Sequence, residues 1–215
     1  MEKQVISKKR VADHGEVLTG AREVNAMLDL VKEETERINS RFLEPACGTG
    51  NFLVEILDRK LRAVRSCYRS RQDEYEHYAV LAVSSIYGID ILKDNVEACR
   101  TRLFDVFEVH YDYLFQNEDC LRTVKFLLER NIIWGDALTL MTVGPDPQPI
   151  VFSEWAPVSR GRKMKRRDFT FHELLSFAGT KEQPLFSDLG DKVFFPTPVQ
   201  EFPPIPTMRL FDVEK

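Results

Sequence analysis

Three acidic residues each end a short apolar run. Glu44 follows Phe42 and Leu43, Asp90 follows Ile86-Tyr-Gly-Ile89, and Asp136 follows Asn131-Ile-Ile-Trp-Gly135. In a parallel α/β sheet, ligands sit outside the carboxyl ends of the strands. Ionised carboxylates there only accept hydrogen bonds, so three of them can meet three donors of one bound molecule. Directly after the first lies Pro45-Ala-Cys-Gly-Thr-Gly-Asn-Phe52, whose Gly48 and Gly50 let backbone approach a ligand where a Cβ would collide. Any one of these acids would equally suit a helix cap or a turn. Three in this order point to a site.

The elements that must position them are readable from periodicity. Val24, Met27, Leu28 and Val31 fall at helical spacing within Arg22–Glu34. Phe42 and Leu43 form a strand, the two glycines a turn, and Phe52 onward a helix running toward Val64. Arg65 to Gln72 is polar and basic, and Tyr75 to Ser84 reads as another helix. The two together insert between the first strand and the second. Val96, Cys99, Leu103 and Phe107 set a helix after the second strand, and a further helix covers 119–129 before the third. This alternation predicts an α/β fold with a doubly wound, mostly parallel sheet. Residues 149–155 then read as a strand and 169–177 as a short helix.

Composition divides the chain near residue 145. Residues 151–215 carry 10 basic and 9 acidic side chains against 20 and 25 in residues 1–150, and ten of the eleven prolines lie at Pro145 or later. Pro196, Pro198, Pro203, Pro204 and Pro206 cannot occupy central strands or helix interiors, so the C-terminal region is expected to be an irregular, extended Pro-rich arm. The expected parts are 1–145, holding the site, and 146–215, a strand and helix extension with a basic loop and the arm.

Several function classes are disfavoured. No apolar run approaches the roughly 18 to 20 residues that span a bilayer, and the N-terminus lacks the apolar segment of a signal peptide, so a cytoplasmic protein is expected. Cys47, Cys67, Cys99 and Cys120 form no C-x-x-C pair, and His14, His77, His110 and His172 have no ligand spacing, so no metal is expected. The net charge of −4 argues against a uniformly basic nucleic-acid binder and leaves a local patch open.

The run Glu44-Pro-Ala-Cys-Gly-Thr-Gly-Asn-Phe-Leu53 is similar to the Asp/Glu-Pro-x-Cys-Gly-x-Gly-x-Phe-Leu motif of amino-group DNA methyltransferases of the adenine-N6 kind in restriction-modification systems. Pro45, Cys47 and Phe52 around the glycines make the match specific. The resemblance spans about residues 10–140. It implies the Rossmann-like fold of methyltransferases that use S-adenosylmethionine (SAM), and a SAM pocket built from Thr19, Glu44, Pro45, Ala46, Cys47, Gly48, Gly50, Asn51, Phe52, Asp90, Ile91, Asp136 and Ala137. Glu44 would face the cationic amine, Asp90 the ribose hydroxyls, Ile91 the adenine ring and Asp136 its exocyclic amine. Thr19 resembles the threonine that meets the cofactor carboxylate. The family usually has an aromatic where Leu18 stands and proline where Gly20 stands.

The Asn-Pro-Pro-Tyr segment with which these enzymes hold a flipped base is absent from the 215 residues. Ser153, Glu154 and Trp155 offer an acceptor and an aromatic as a diverged substitute, although a tryptophan on a core strand is the commoner arrangement. The resemblance therefore implies the SAM-binding half of a split methyltransferase whose partner chain supplies the target-base motif and DNA recognition. The alternatives are a non-catalytic SAM-binding scaffold or regulatory subunit of a restriction complex, or a stand-alone enzyme acting on RNA or a small molecule. Arg160, Arg162, Lys163, Lys165, Arg166 and Arg167 form a basic run that suits phosphate contact or a solvated loop equally.

Overall fold

The computed structural model describes residues 10–12, 17–111, 117–158, 161–179 and 196–214. Helices α1 (Ala21–Asp29) and α2 (Lys32–Glu36) precede β1 (Phe42–Glu44). Helices α3 (Asn51–Tyr68) and α4 (Gln72–Ser84) lead to β2 (Ile86–Asp90). Helices α5 (Lys93–His110) and α6 (Glu118–Asn131) lead to β3 (Ile132–Asp136) and the short β4 (Met141–Thr142). Strands β5 (Val151–Val158) and β6 (Lys163–Thr170), helix α7 (Phe171–Gly179), strands β7 (Gln200–Glu201) and β8 (Ile205–Pro206) and a 3-10 helix (Thr207–Asp212) follow.

Strands β1, β2 and β3 are parallel neighbours in that order, with Glu44 opposite Gly88 and Asp90 opposite Trp134. The three acidic residues thereby share one end of the sheet. Strand β4 closes the β3 side antiparallel. A second, antiparallel sheet runs β5-β6-β7, with β8 also on β6.

The alternation of β2 shows how the layers divide, because successive residues face opposite sides. Ile86 joins the large core formed by Leu53, Leu57 and Leu61 of α3, Val80 of α4, Leu103 of α5 and Leu127 of α6. Tyr87 and Ile89 instead pack with Ile150, Phe152 and Phe171. The second face is therefore covered by β5 and the start of α7. The chain is a mixed α/β structure with two sheets, one mostly parallel and one antiparallel. The change of composition near residue 145 marks no break in packing, since Ile150 is fully buried against the first sheet.

Three local expectations also change. Helix α3 continues through the basic stretch as far as Tyr68, leaving only a short link before α4. In α1, Val24 and Leu28 are buried while Met27 stays 55% exposed. The described part of the Pro-rich region is no free arm: Gln200–Glu201 and Ile205–Pro206 pair with β6, and Leu210 is fully buried. Prolines are tolerated there because the added strands sit at an edge. No described helix is long and apolar enough to cross a membrane.

Lys60 is fully buried in the core face of α3. Its ammonium donates to the carbonyls of Ile38 and Ser40 and to the Ser85 hydroxyl, and so ties the chain ahead of β1 to the start of β2. Burial pulls its pKa from 10.5 down to about 7. Between those values the unfolded chain holds the proton more tightly, so stability rises with pH across the window. Denaturant titrations between pH 7 and 9 are expected to show a Lys60-dependent gain of roughly 2 kcal/mol. Lys60→Met removes that gain; an unchanged slope in the variant contradicts the assignment.

Candidate functional site

The sequence from β1 to α3 makes a tight turn for steric reasons. Gly48 and Gly50 adopt φ of +52° and +88°, a left-handed region costly to residues with a Cβ. A Cβ on Gly50 would lie 2.6 Å from the Cys99 sulfur, and one on Gly88 would lie 2.9 Å from Leu53 and 3.1 Å from Cys47. The turn is thus seated directly on β2 and α5. The Cys47 amide donates to the Ile89 carbonyl at 2.9 Å, which anchors the loop to the neighbouring strand. The Cys47 thiol is held protonated by its contact with Cys99 and by burial. It packs as a small apolar group, as its place in the motif suggests.

Above this turn opens a cavity of about 670 Å³ at the carboxyl ends of β1, β2 and β3. Of the residues expected to bind the cofactor, all line it except Gly50, which lies beneath the loop. Asp90 is 8% exposed, and its Oδ2 accepts from the Gly48 amide at 2.8 Å. Its Oδ1 accepts from the Leu92 amide at 2.9 Å and from Asn95 Nδ2 at 3.2 Å. A carboxylate has about four acceptor sites, so one remains for a ligand; Asp90 first braces the loop. Glu44 accepts from the Ala46 amide at 3.2 Å, and burial raises its pKa. Asp136 accepts from the Leu138 amide at 2.8 Å. Ile91 is 46% exposed at the rim.

Two side chains brace the site, Asn51, which the sequence places in the pocket, and Arg102, which it does not single out. Asn51 donates to the Thr19 carbonyl at 2.8 Å and so closes the Val17–Gly20 segment over the loop. Arg102, on α5, donates to the Thr49 carbonyl and to Asn51 Oδ1, each at 2.7 Å. Asn95 and Leu92 join the lining as well. Arg102 and Asn51 are 51 residues apart, and no local pattern announces such a contact.

The lining fits SAM on three counts. It contains the carboxylates of Glu44, Asp90 and Asp136 and no lysine or arginine, which favours a ligand carrying ammonium and sulfonium charge and disfavours a pyrophosphate-bearing dinucleotide. The N-terminus of α3 has no side-chain cap, leaving amide donors for a carboxylate. The volume lies within the roughly 300 to 1,000 Å³ of small-molecule sites. No cluster of three or more His, Cys, Asp or Glu side chains among the described residues could hold a metal ion.

Residues 18–142 match the family described as MmeI, DNA-methyltransferase domain. The chain belongs to that family. It is thus a DNA-methyltransferase domain of the restriction-modification type, for which SAM is the usual methyl donor. The matched stretch holds the first sheet, its helices and the cavity, and ends at Thr142, the last residue of β4. No curated protein and no solved structure matches the chain.

The weak catalytic candidates do not reach the cavity. Ser153 is 3% exposed and its carbonyl accepts from the Tyr87 hydroxyl at 2.9 Å. Glu154 is ion-paired with Arg41 at 2.6 Å and with Arg167. Trp155 is 3% exposed, and its Nε1 donates to Asn131. All three are engaged by neighbouring strands or helices, and none lines the cavity.

The basic run is a strand rather than a loop, and most of its charge is committed. Arg162 pairs with Asp73, Lys165 with Glu201 at 2.5 Å, and Arg167 with Glu154. Arg166 is 2% exposed and gives a two-pronged pair to Asp168 at 2.7 and 2.6 Å, with Glu214 on its far side. Lys163 is exposed, and Arg160 lies outside the described residues. Arg166 is turned inward, away from any phosphate.

Gly50→Ala is expected to cost about 2 to 4 kcal/mol in chemical denaturation, from the left-handed backbone and the overlap with sulfur. Adding Cys99→Ala should return part of that loss. A neutral Gly50→Ala would refute the seating of the turn.

Proposed function

We propose that this chain is the SAM-binding half of a split DNA adenine-N6 methyltransferase, completed by a partner chain that carries the target-base motif. The observation that supports the split is the outer edge of β1. Among the described residues β1 pairs with β2 alone, and Leu43 stays 42% exposed beside that edge. An unpaired edge offers free backbone donors and acceptors to an added strand. Such a strand, laid beside β1, would end next to Glu44 and Pro45 at the mouth of the cavity. The 215 residues contain no Asn-Pro-Pro-Tyr to fill that place themselves.

When bound, SAM supplies an electrophilic methyl group on a sulfonium centre. The amide donors at the start of α3 would receive its carboxylate, and Glu44 would face its amine. Asp90 holds Gly48 in place and would offer its one remaining acceptor site to the ribose. Ile91 would give the adenine an apolar surface, and Asp136 would accept from the exocyclic amine. What the chain contributes is position: it holds the methyl donor in line for an incoming amine, and no side chain here need exchange a proton with the substrate.

A second reading is a non-catalytic SAM-binding subunit of a restriction complex. It is favoured by the absence of Ser153, Glu154 and Trp155 from the cavity lining, and it predicts no methyl transfer with any partner. The family match to DNA methyltransferases argues against RNA or a small molecule as acceptor.

Calorimetry is expected to show SAM binding to the wild-type chain, weakened about tenfold or more by Glu44→Ala or Asp90→Ala, as loss of a charge-assisted contact implies. No binding, or variants that match wild type, would reject the cofactor assignment. Mixing the chain with the product of the neighbouring reading frame is expected to yield N6-methyladenine in DNA. Transfer by the isolated chain would reject the split.

A further inference from the structure

Exposed arginines without an acidic partner among the described residues gather at the C-terminal end of α3, outside the run Arg160–Arg167 that the sequence highlights. Arg62 and Arg65 on α3 and Arg69 at its C-cap stand at i, i+3 and i+7 and share one exposed face of the helix end. With Ser66 they line a cleft of about 470 Å³. Arg62 has Asp58 as its partner at 2.5 Å on the flank, yet its side chain remains 68% exposed. Arg65 and Arg69 have no acidic partner among the described residues. Three guanidinium groups on one face of a chain whose net charge is −4 are a local reversal of sign, which is the condition for steering a polyanion.

The spacing suits a nucleic-acid backbone. Seven residues of helix advance about 10.5 Å, and one strand of B-DNA presents a phosphate every ~3.4 Å along its axis. Because the phosphates also wind around that axis, their separation in space is larger than the rise, and the ridge reaches about two neighbouring phosphates. Each guanidinium can bind a phosphate with two parallel hydrogen bonds, and the Ser66 hydroxyl adds a donor between them. The ridge begins about 18 Å along α3 from the loop that ends at Gly50. It would hold DNA at a distance from the methyl donor without entering the cavity.

We propose that the Arg62-Arg65-Arg69 ridge of α3 is a phosphate-backbone contact for duplex DNA, separate from the cofactor pocket. This inference rests on the reading of the chain as one that acts on DNA. The contact carries no sequence information; it fixes register and orientation and leaves base recognition to other elements.

The test is fluorescence anisotropy of a labelled 24-base-pair duplex with the isolated chain over graded salt. The wild type is compared with Arg62→Ala/Arg65→Ala/Arg69→Ala and with a β6 control, Lys163→Ala/Lys165→Ala/Arg167→Ala. The α3 triple variant is expected to bind at least about tenfold more weakly at 0.1 M salt, with a salt slope shallower by about 2 to 3, while the β6 triple variant stays near wild type. Unchanged affinity and slope in the α3 variant would overturn the proposal. So would absence of salt-sensitive binding by the wild type, or a loss carried equally or chiefly by the β6 variant. Circular dichroism and thermal melting of both triple variants verify their folds. Because anisotropy needs neither SAM nor a partner, failure of the split reading and failure of the ridge are separable.

Discussion

The hydrogen bond from the Gly48 amide to the Asp90 carboxylate joins the loop after the first strand to the tip of the second, and the pocket depends on it. The loop can only reach Asp90 because Gly88 leaves room for Cys47 and Gly50 leaves room for Cys99. Asn51 and Arg102 then hold the same loop from above and from the side. Contacts from three separate parts of the chain, the segment before α1, strand β2 and helix α5, thus converge on one turn. A loop braced in this way presents its amides without reorganising when a ligand arrives, which limits the entropy lost on binding.

The covering of the second face of the first sheet follows from how the chain spends its apolar residues. Tyr87 and Ile89 need partners on that face. They find them in Ile150, Phe152 and Phe171, which arrive from a strand and the first turn of a helix. Strand β5 then pairs along its length with β6, from Val151 opposite Thr170 to Val158 opposite Lys163, and the Pro-rich segment seals the far side of β6. The region outside the family match is therefore joined to the cofactor domain through the core.

Charge follows a similar division. The basic run of β6 is largely spent on ion pairs inside the structure, and Arg166 sits in a buried pair with Asp168 between Trp155 and Phe202. A buried charge must be paired to be tolerated, so the presence of Asp168 two residues along the same strand face is what permits Arg166 there. Charge density along the sequence is a poor guide to charge that a polyanion can reach. What counts is which cations the fold leaves without partners.

Much of the cavity's lining was legible in the sequence because its signals are local. A strand, a glycine turn and a helix are encoded within a dozen residues, and acidic strand tips follow directly from short apolar runs. The sequence by itself determined that Glu44, Asp90 and Asp136 end strands and that Gly48 and Gly50 turn the chain. Strand β6 was not legible: its inward positions, Met164, Arg166 and Asp168, include a charged pair that the alternation of apolar and polar residues cannot flag. Lys60 and Arg102 escaped for a related reason, since each acts through carbonyl groups brought near by packing. Only the tertiary structure decided which charges are buried, paired or free, because electrostatic partners are selected by proximity in space and leave no periodic trace along the chain.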